Sequence, residues 1–338
     1  MKLSSFHALL VAAASLTAHA TADFKVSPQP IVKAATSKHV NFVKQWTLKA
    51  GANTNSIDSI DLSLAGNAYV SYVSGLPTGV IGYVNVSGDS RAVVNAVTVS
   101  KDVNNDVDID NDLDDLFDND KNDGGELNVW LGNKAASGYL LTEIFLAAPD
   151  AVKDVKSQRS AQVVIEDGVL VTSGKRTELQ IDATGSSAVY VSAPDTTVSV
   201  GQLSLETTGT ASIEYNVESV SVRSELQVDA QGTSSITVLA STIQTKKLNL
   251  DATSGSICIA AETVESKWRG IEGKKKISMP NSAEKHGTTG TFACKESTLP
   301  ARKAAKITAA SAANTGGNNF LDDDNDNDLD DLNDSTEN

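Results

Sequence analysis

Aromatic residues make up only 5% of this 338-residue chain, against 40% hydrophobic residues overall. Any core must therefore be built from aliphatic side chains. Cysteine is scarcer still, with Cys258 and Cys294 alone. Two thiols are too few for a disulfide scaffold, and the absence of a CxxC pair excludes the usual zinc and dithiol redox motifs. Of the four histidines, only His39 and His286 lie beyond the first twenty residues. No G-x-S-x-G element is present. Gly88-Asp-Ser90 has the start of a GDS-type hydrolase motif but lacks its D-x-x-H partner, with Ala283 where the Asp should stand. Beyond the N-terminus no stretch approaches the roughly 20 apolar residues of a membrane span.

The formal net charge is −15, but the acids are unevenly placed. Ten Asp fall between Asp102 and Asp123, and eight Asp with one Glu between Asp322 and Glu337. Without these two tracts, 24 acids face 27 bases. The body is close to neutral and has no broad basic surface of the kind nucleic acid requires. No nucleic-acid partner is expected.

Lys2, the apolar run Leu9-Leu10-Val11-Ala12-Ala13-Ala14 and the small residues of Ala18-His19-Ala20 have the layout of a secretory signal peptide over 1–20. Ala20-Thr21-Ala22 offers a second cleavage point, so Thr21 or Asp23 is the expected mature start. The expected address is secreted, extracellular or cell-surface, where Cys258 and Cys294 can form one disulfide. Asn85-Val-Ser and Asn333-Asp-Ser are glycosylation candidates for a eukaryotic source.

Four segments of the middle region align: Leu179-Gln-Ile-Asp-Ala-Thr-Gly185, Leu203-Ser-Leu-Glu-Thr-Thr-Gly209, Leu226-Gln-Val-Asp-Ala-Gln-Gly232 and Leu248-Asn-Leu-Asp-Ala-Thr-Ser-Gly255. Their starts differ by 24, 23 and 22 residues. A second alternating pair follows each: Val189/Val191, Ile213/Tyr215, Ile236/Val238, Ile257/Ile259. A third position follows at Val198/Val200, Val220/Val222, Ile243 and Val264. Period-2 alternation and β-branched residues favour strands over helix. A fixed period near 23 fits the rungs of a parallel β-solenoid, in which inward Leu, Ile and Val form columns roughly 4.8 Å apart. The glycine after each first strand is expected at a turn with positive φ.

Degraded copies lie upstream, at Val152/Val155, Val163/Ile165 and Val169/Val171, and at Leu62-Ser-Leu-Ala-Gly-Asn-Ala-Tyr-Val70. Val84/Val86, Val93/Val97/Val99 and Leu127/Val129/Leu131 predict further short strands. The chain then divides into a signal peptide (1–20), an N-terminal segment (21–50), an N-terminal β region (51–101) and an acidic low-complexity insertion (102–125). The solenoid (126–265), a basic extension or cap (266–310) and an acidic tail (311–338) follow. Both acidic parts are expected to be disordered.

The run Tyr139-Leu-Leu-Thr-Glu-Ile-Phe-Leu-Ala-Ala-Pro149, with Val152–Val155, Val163-Val-Ile-Glu-Asp-Gly168 and the four repeats, resembles the auto-transporter adhesin head domain, also called the GIN or DUF2807 domain. The resemblance covers about residues 126 to 265. It implies a secreted or surface-exposed, right-handed β-helix and supplies no catalytic residues.

Three features could carry function. Asp182, Glu206, Asp229 and Asp251 occupy one repeat position and should stack outward as a carboxylate ladder for a cation or a basic partner, or else cap their own turns. The tract from Asp106 to Gly124 alternates acids as calcium loops do, but lacks glycine at the sixth position of an EF-hand. Charge alone allows weak Ca2+ association there; no other cofactor is expected and the metal is unknown. Asp-Asn-Asp-Leu-Asp-Asp-Leu occurs at 110–116 and again at 326–332. Between Lys267 and Lys306 ten bases face three acids, a patch for anionic partners or, more simply, a solvated extension. Cys258 should point outward, so that its bond to Cys294 pins the extension as a cap. The reading is a non-enzymatic, adhesin-like or structural solenoid with glycans or another surface protein as partner. The alternative is a polysaccharide-active enzyme on a β-helix scaffold.

Overall fold

A computed structural model of the chain describes residues 24–37, 39–51, 54–101, 124–132, 136–309 and 311. The expected signal peptide, both acidic tracts and the Asn333 sequon lie outside the described residues. The chain is a parallel β-solenoid of about five turns, nearly all-β, with 64% strand and one helix among the described residues.

The four aligned segments form one face. Their strands belong to β10 (Ser173–Ala183), β11 (Ala188–Thr207), β12 (Ser212–Ala230) and β14 (Thr242–Asp251), paired in parallel and in chain order. Register places Leu179, Leu203, Leu226 and Leu248 in one column, and Ile181, Leu205, Val228 and Leu250 in the next. All eight are buried. β9 (Asp154–Glu166) extends the second column with Val155, and β16 (Thr263–Glu272) with Ile271. The solenoid thus runs one rung past Glu265, where the repeat fades from the sequence.

The second face stacks Val163, Val189, Ile213, Ile236 and Ile257, the last two on β13 (Ser235–Leu239) and β15 (Ser256–Ile259). β17 (Ile277–Ser278) closes that column with Ile277. The third face stacks Val198, Val220, Ile243 and Val264. β11 and β12 are long because each turns corners without leaving extended geometry, at register shifts such as Ala193/Thr197.

Glycine is required between the first and second faces. Gly185, Gly209 and Gly232 have φ of +72°, +78° and +76°. A Cβ on Gly209 would stand 2.7 Å from the Gly185 carbonyl, and one on Gly232 2.7 Å from that of Gly209. Successive turns are that close because Thr210 N donates to Gly185 O and Thr233 N to Gly209 O, both at 2.8 Å. Gly255, one residue later in its repeat, has no positive φ. There a Cβ would meet the Ala230 carbonyl at 2.5 Å, so close approach excludes a side chain.

The N-terminal region joins the same stack out of chain order. β4 (Ile57–Tyr72) pairs in parallel with β9 on one side, and with β7 (Gly125–Leu131) and β8 (Gly138–Leu146) on the other. It is therefore a rung inserted between segments far along the chain. β5 (Val80–Gly88) and β3 (Val40–Lys49) continue from β8 as antiparallel strands, flanked by β1 (Lys25–Pro28) and β2 (Val32–Ser37). One expectation is corrected here. Val93 lies not in a strand but in the short helix α1 (Arg91–Ala96), because the Ser90 hydroxyl accepts from Val93 N and caps it. Val97 and Val99 do lie in a strand, β6 (Val97–Lys101), antiparallel to β7.

Candidate functional site

The outward side of the first face carries rows of polar side chains at fixed spacing. Asp182, Glu206, Asp229 and Asp251 are consecutive register partners, and the row continues to Glu272 at one end and to Lys156, Asp61 and Asn128 at the other. Beside it runs Asp154, Gln180, Ser204, Gln227 and Asn249.

Neutral donors hold most of these carboxylates. Gln180 Nε2 donates to Asp182 at 2.9 Å, Ser204 Oγ and Gln227 Nε2 to Glu206 at 3.0 and 3.1 Å, and Gln231 Nε2 to Asp229 at 3.0 Å. Asp251 alone caps its own turn, accepting from the backbone N and hydroxyl of Thr253. Burial pushes the Asp182 carboxyl up to about 6, opposed by the Gln180 hydrogen bond and reinforced by Glu206 and Asp154. The carboxylates line up rather than converge: among the described residues, no three His, Cys, Asp or Glu gather as metal ligands.

At its N-terminal end this face deepens into a groove of about 390 Å3 lined by Asp61, Ser63, Asn128, Trp130, Gln158 and Arg159, with Ser100 at its edge. Two outward rows cross it. One is Ser100, Asn128, Asp61 and Lys156; the other is Thr98, Trp130, Ser63 and Gln158. Arg159 follows Gln158 at the turn, nearly buried, and its Nη1 donates to the Leu131 carbonyl at 2.7 Å. Burial lowers the guanidinium from its ordinary value.

The second face is covered. The basic extension was expected to be solvated or to cap an end, and it does more than either. Residues 279–290 lie against the last rung. Met279 is buried there, His286 Nε2–H donates to the Val264 carbonyl at 2.8 Å, and Gly290 bridges to Ser278. Cys294 is bonded to Cys258, with Cα atoms 5.4 Å apart, and Cys258 is in outward register with Thr237. From there the extension crosses the rungs. Asn216 Nδ2 donates to Glu296, Ser297 N to Glu214, the Tyr69 hydroxyl to the Pro300 carbonyl, and Asn67 Nδ2 to the carbonyls of Ala301 and Lys303. It ends as β18 (Ala305–Ile307), antiparallel to β8. Crossing from β15 to β8 spans about 29 Å at roughly 4.8 Å per strand, and eleven extended residues cover about 36 Å. The slack is taken up in part by a tight turn in which Lys303 N donates to the Ala301 carbonyl at 2.7 Å.

Arg302 anchors it. Its guanidinium lies 4.7 Å from the centre of the Tyr69 ring and 5.9 Å from that of Phe145. Nε is 3.5 Å from Glu143, and Nη2 is 3.4 Å from Glu166 and donates to the Ser71 hydroxyl at 2.5 Å. Burial raises the Glu143 carboxyl, and the nearby Arg302 charge opposes that rise. No periodicity announces Arg302 or Arg159 in the sequence. Arg159 is detectable only as the non-glycine where the repeat elsewhere has glycine.

Two further side chains named in the sequence have partners within the fold. Asn85 lies mid-strand in β5, half-buried, with Oδ1 accepting from Gln45 Nε2 at 2.9 Å, whereas glycan acceptors favour surface loops. His39 stacks on Tyr139 at 3.7 Å. Among the described residues no helix is long and apolar enough to cross a membrane. In comparisons with known proteins, no family model matches the chain and no curated protein matches it.

Proposed function

We propose that this protein is an exported, non-enzymatic β-solenoid of the adhesin-head kind, presenting the open first face to a glycan or protein surface. The observation that carries this reading is the row Asp182, Glu206, Asp229 and Asp251 beside its row of amides and hydroxyls, in register over four rungs. A partner with repeating donors can meet such a face at many equivalent points, each weak and jointly strong. Catalysis instead requires groups converging on one bond.

A second reading draws on Asp182, whose carboxyl is held near 6 beside Glu206, the kind of acid a polysaccharide-cleaving enzyme uses. One pair of assays separates the two. The full chain is sedimented with intact cells and insoluble polysaccharides, and the supernatant is assayed for new reducing ends. The expected result is retention without cleavage, and weaker retention for Asp229→Asn/Asp251→Asn. Reducing ends released by the parent chain and lost in Asp182→Asn would establish the enzyme instead.

A further inference from the structure

The turn between the first and second faces is a column in which three successive rungs place glycine at positive φ: Gly185, Gly209 and Gly232. The next position in that column is Arg159. A Cβ on Gly185 would stand 3.0 Å from the Arg159 carbonyl, and Ser186 N donates to that carbonyl just as Thr210 N donates to Gly185. Arg159 adopts the same left-handed conformation, φ +68°. For a residue with a long side chain this is a strained state, and strain of this kind gathers at sites that need the side chain. The next rung, with Gly185, shows that glycine satisfies this backbone, whereas the rung on the other side places Leu64 in register. What arginine adds is a guanidinium at the floor of the groove, held there by its bond to the Leu131 carbonyl.

The chemistry around that guanidinium is mixed and close to neutral. One carboxylate (Asp61), one guanidinium (Arg159), two amides (Asn128 and Gln158) and two hydroxyls (Ser63 and Ser100) surround the half-buried indole of Trp130. Trp130 is the only aromatic residue of the two outward rows crossing the groove. An indole offers a broad apolar plate, while planar carboxylate, amide and guanidinium groups each accept or donate two hydrogen bonds in a plane. A ligand matching both has an apolar face and a rim of hydroxyls, which is a pyranose ring. A groove of about 390 Å3 falls within the range of small-ligand sites. Equal and opposite charges in the lining favour a neutral sugar over a polyanion.

We propose that this groove is a saccharide-binding site in which Trp130 stacks on a neutral pyranose ring and Asp61, Asn128, Gln158 and Arg159 hold its hydroxyls. The choice of ligand class rests on the reading of the chain as a surface-binding solenoid, but the site is separate from the carboxylate ladder.

The test is titration of the full chain with cellotetraose, chitotetraose, mannotetraose and maltotetraose, followed by tryptophan fluorescence and calorimetry. Trp46 is buried at 3% exposure and Trp268 can be removed as Trp268→Ala, so the signal isolates Trp130. At least one tetraose should bind saturably with a change in indole emission that survives Trp268→Ala. Trp130→Ala should weaken that binding at least about tenfold without lowering the melting temperature, and Trp130→Phe should restore part of it. Arg159→Gly should also weaken binding at least about tenfold, while the melting temperature reports the balance between relief of the backbone and loss of the hydrogen bond to the Leu131 carbonyl. No saturable binding of any tetraose, or binding unchanged in Trp130→Ala, overturns the proposal. Tetraose binding unchanged in Arg159→Gly makes the arginine a structural clamp and overturns its place in the site. Asp229→Asn/Asp251→Asn should leave tetraose binding intact. Retention on cells without tetraose binding would sink the groove alone, and tetraose binding without retention would sink the ladder reading alone.

Discussion

The first and second faces of the solenoid share rungs, turns and core, yet one is open and the other strapped. The difference lies in the outward row. On the first face that row is Asp182, Glu206, Asp229 and Asp251; on the second it is Val164, Tyr190, Glu214, Thr237 and Cys258, with Tyr69 and Glu143 beyond. Val164, Tyr69 and Leu141 would expose apolar surface if nothing lay over them, and Ala304 of the strap completes their cluster. The first face needs no such cover because its outward rows are carboxylates, amides and hydroxyls rather than apolar side chains. Two faces of one repeat can thus be assigned opposite tasks by the residue that alternates outward, with the inward columns unchanged.

The largest expected effect comes from uncovering the second face. Cys294→Ser opens a linkage of sequence separation 36 and should lower stability by about 3–4 kcal/mol on the loop-entropy model. Limited proteolysis should then cut between residues 291 and 304 at least about tenfold faster, while the turns of the first face stay protected. Equal susceptibility on both faces would show that the strap protects nothing locally. Arg302→Ala should cost roughly 1–2 kcal/mol, because it leaves the half-buried Glu143 without its cation and bares the Tyr69 ring. Chemical denaturation measures this loss, and Arg302→Lys should recover only part of it, since an ammonium cannot stack and pair in one plane.

The smallest effect belongs to the open face and has the opposite sign. The Asp182 carboxyl sits near 6 in the folded chain against an ordinary value of 3.8. Between those values the folded state binds more protons than the unfolded one, so stability falls as pH rises through that window. It is highest below about pH 4, and the loss is complete above about pH 6. Asp182→Asn should flatten this slope and stabilise the neutral-pH protein by about 1 kcal/mol, after allowing for solvent screening of a half-buried group. A melting-temperature profile from pH 3.5 to 7.5 reads it directly; an unchanged slope would show that the carboxyl titrates as an exposed acid.

How far the sequence discloses this molecule follows the same division. Leu179, Leu203, Leu226 and Leu248 announce their column because a rung repeats every 22 to 24 residues and each repeat must present the same inward side chains. The alternation that buries Leu179 also turns Asp182 outward. The place of β4 is not legible, because a parallel strand inserted between β8 and β9 is set by long-range register rather than by any local pattern. The strap is hidden for a different reason. Its contacts are single side chains reaching backbone carbonyls, such as Asn67 to Ala301, which impose no period on residues 291–304. Val93 reads as a strand residue by its even spacing to Val97 and Val99, yet the capping serine at position 90 starts a helix there.

A stack of rungs normally loosens from its ends, since each rung holds only its neighbours. Here the covalent link at Cys258 and the pairing of β18 with β8 tie the last rungs to the N-terminal ones. A rung at the far end cannot peel away without also detaching a strand at the near end. The strap thus converts a chain of nearest-neighbour equilibria into a single cooperative unit. Against a shearing load or a protease, the strapped rungs then resist as one body rather than one at a time.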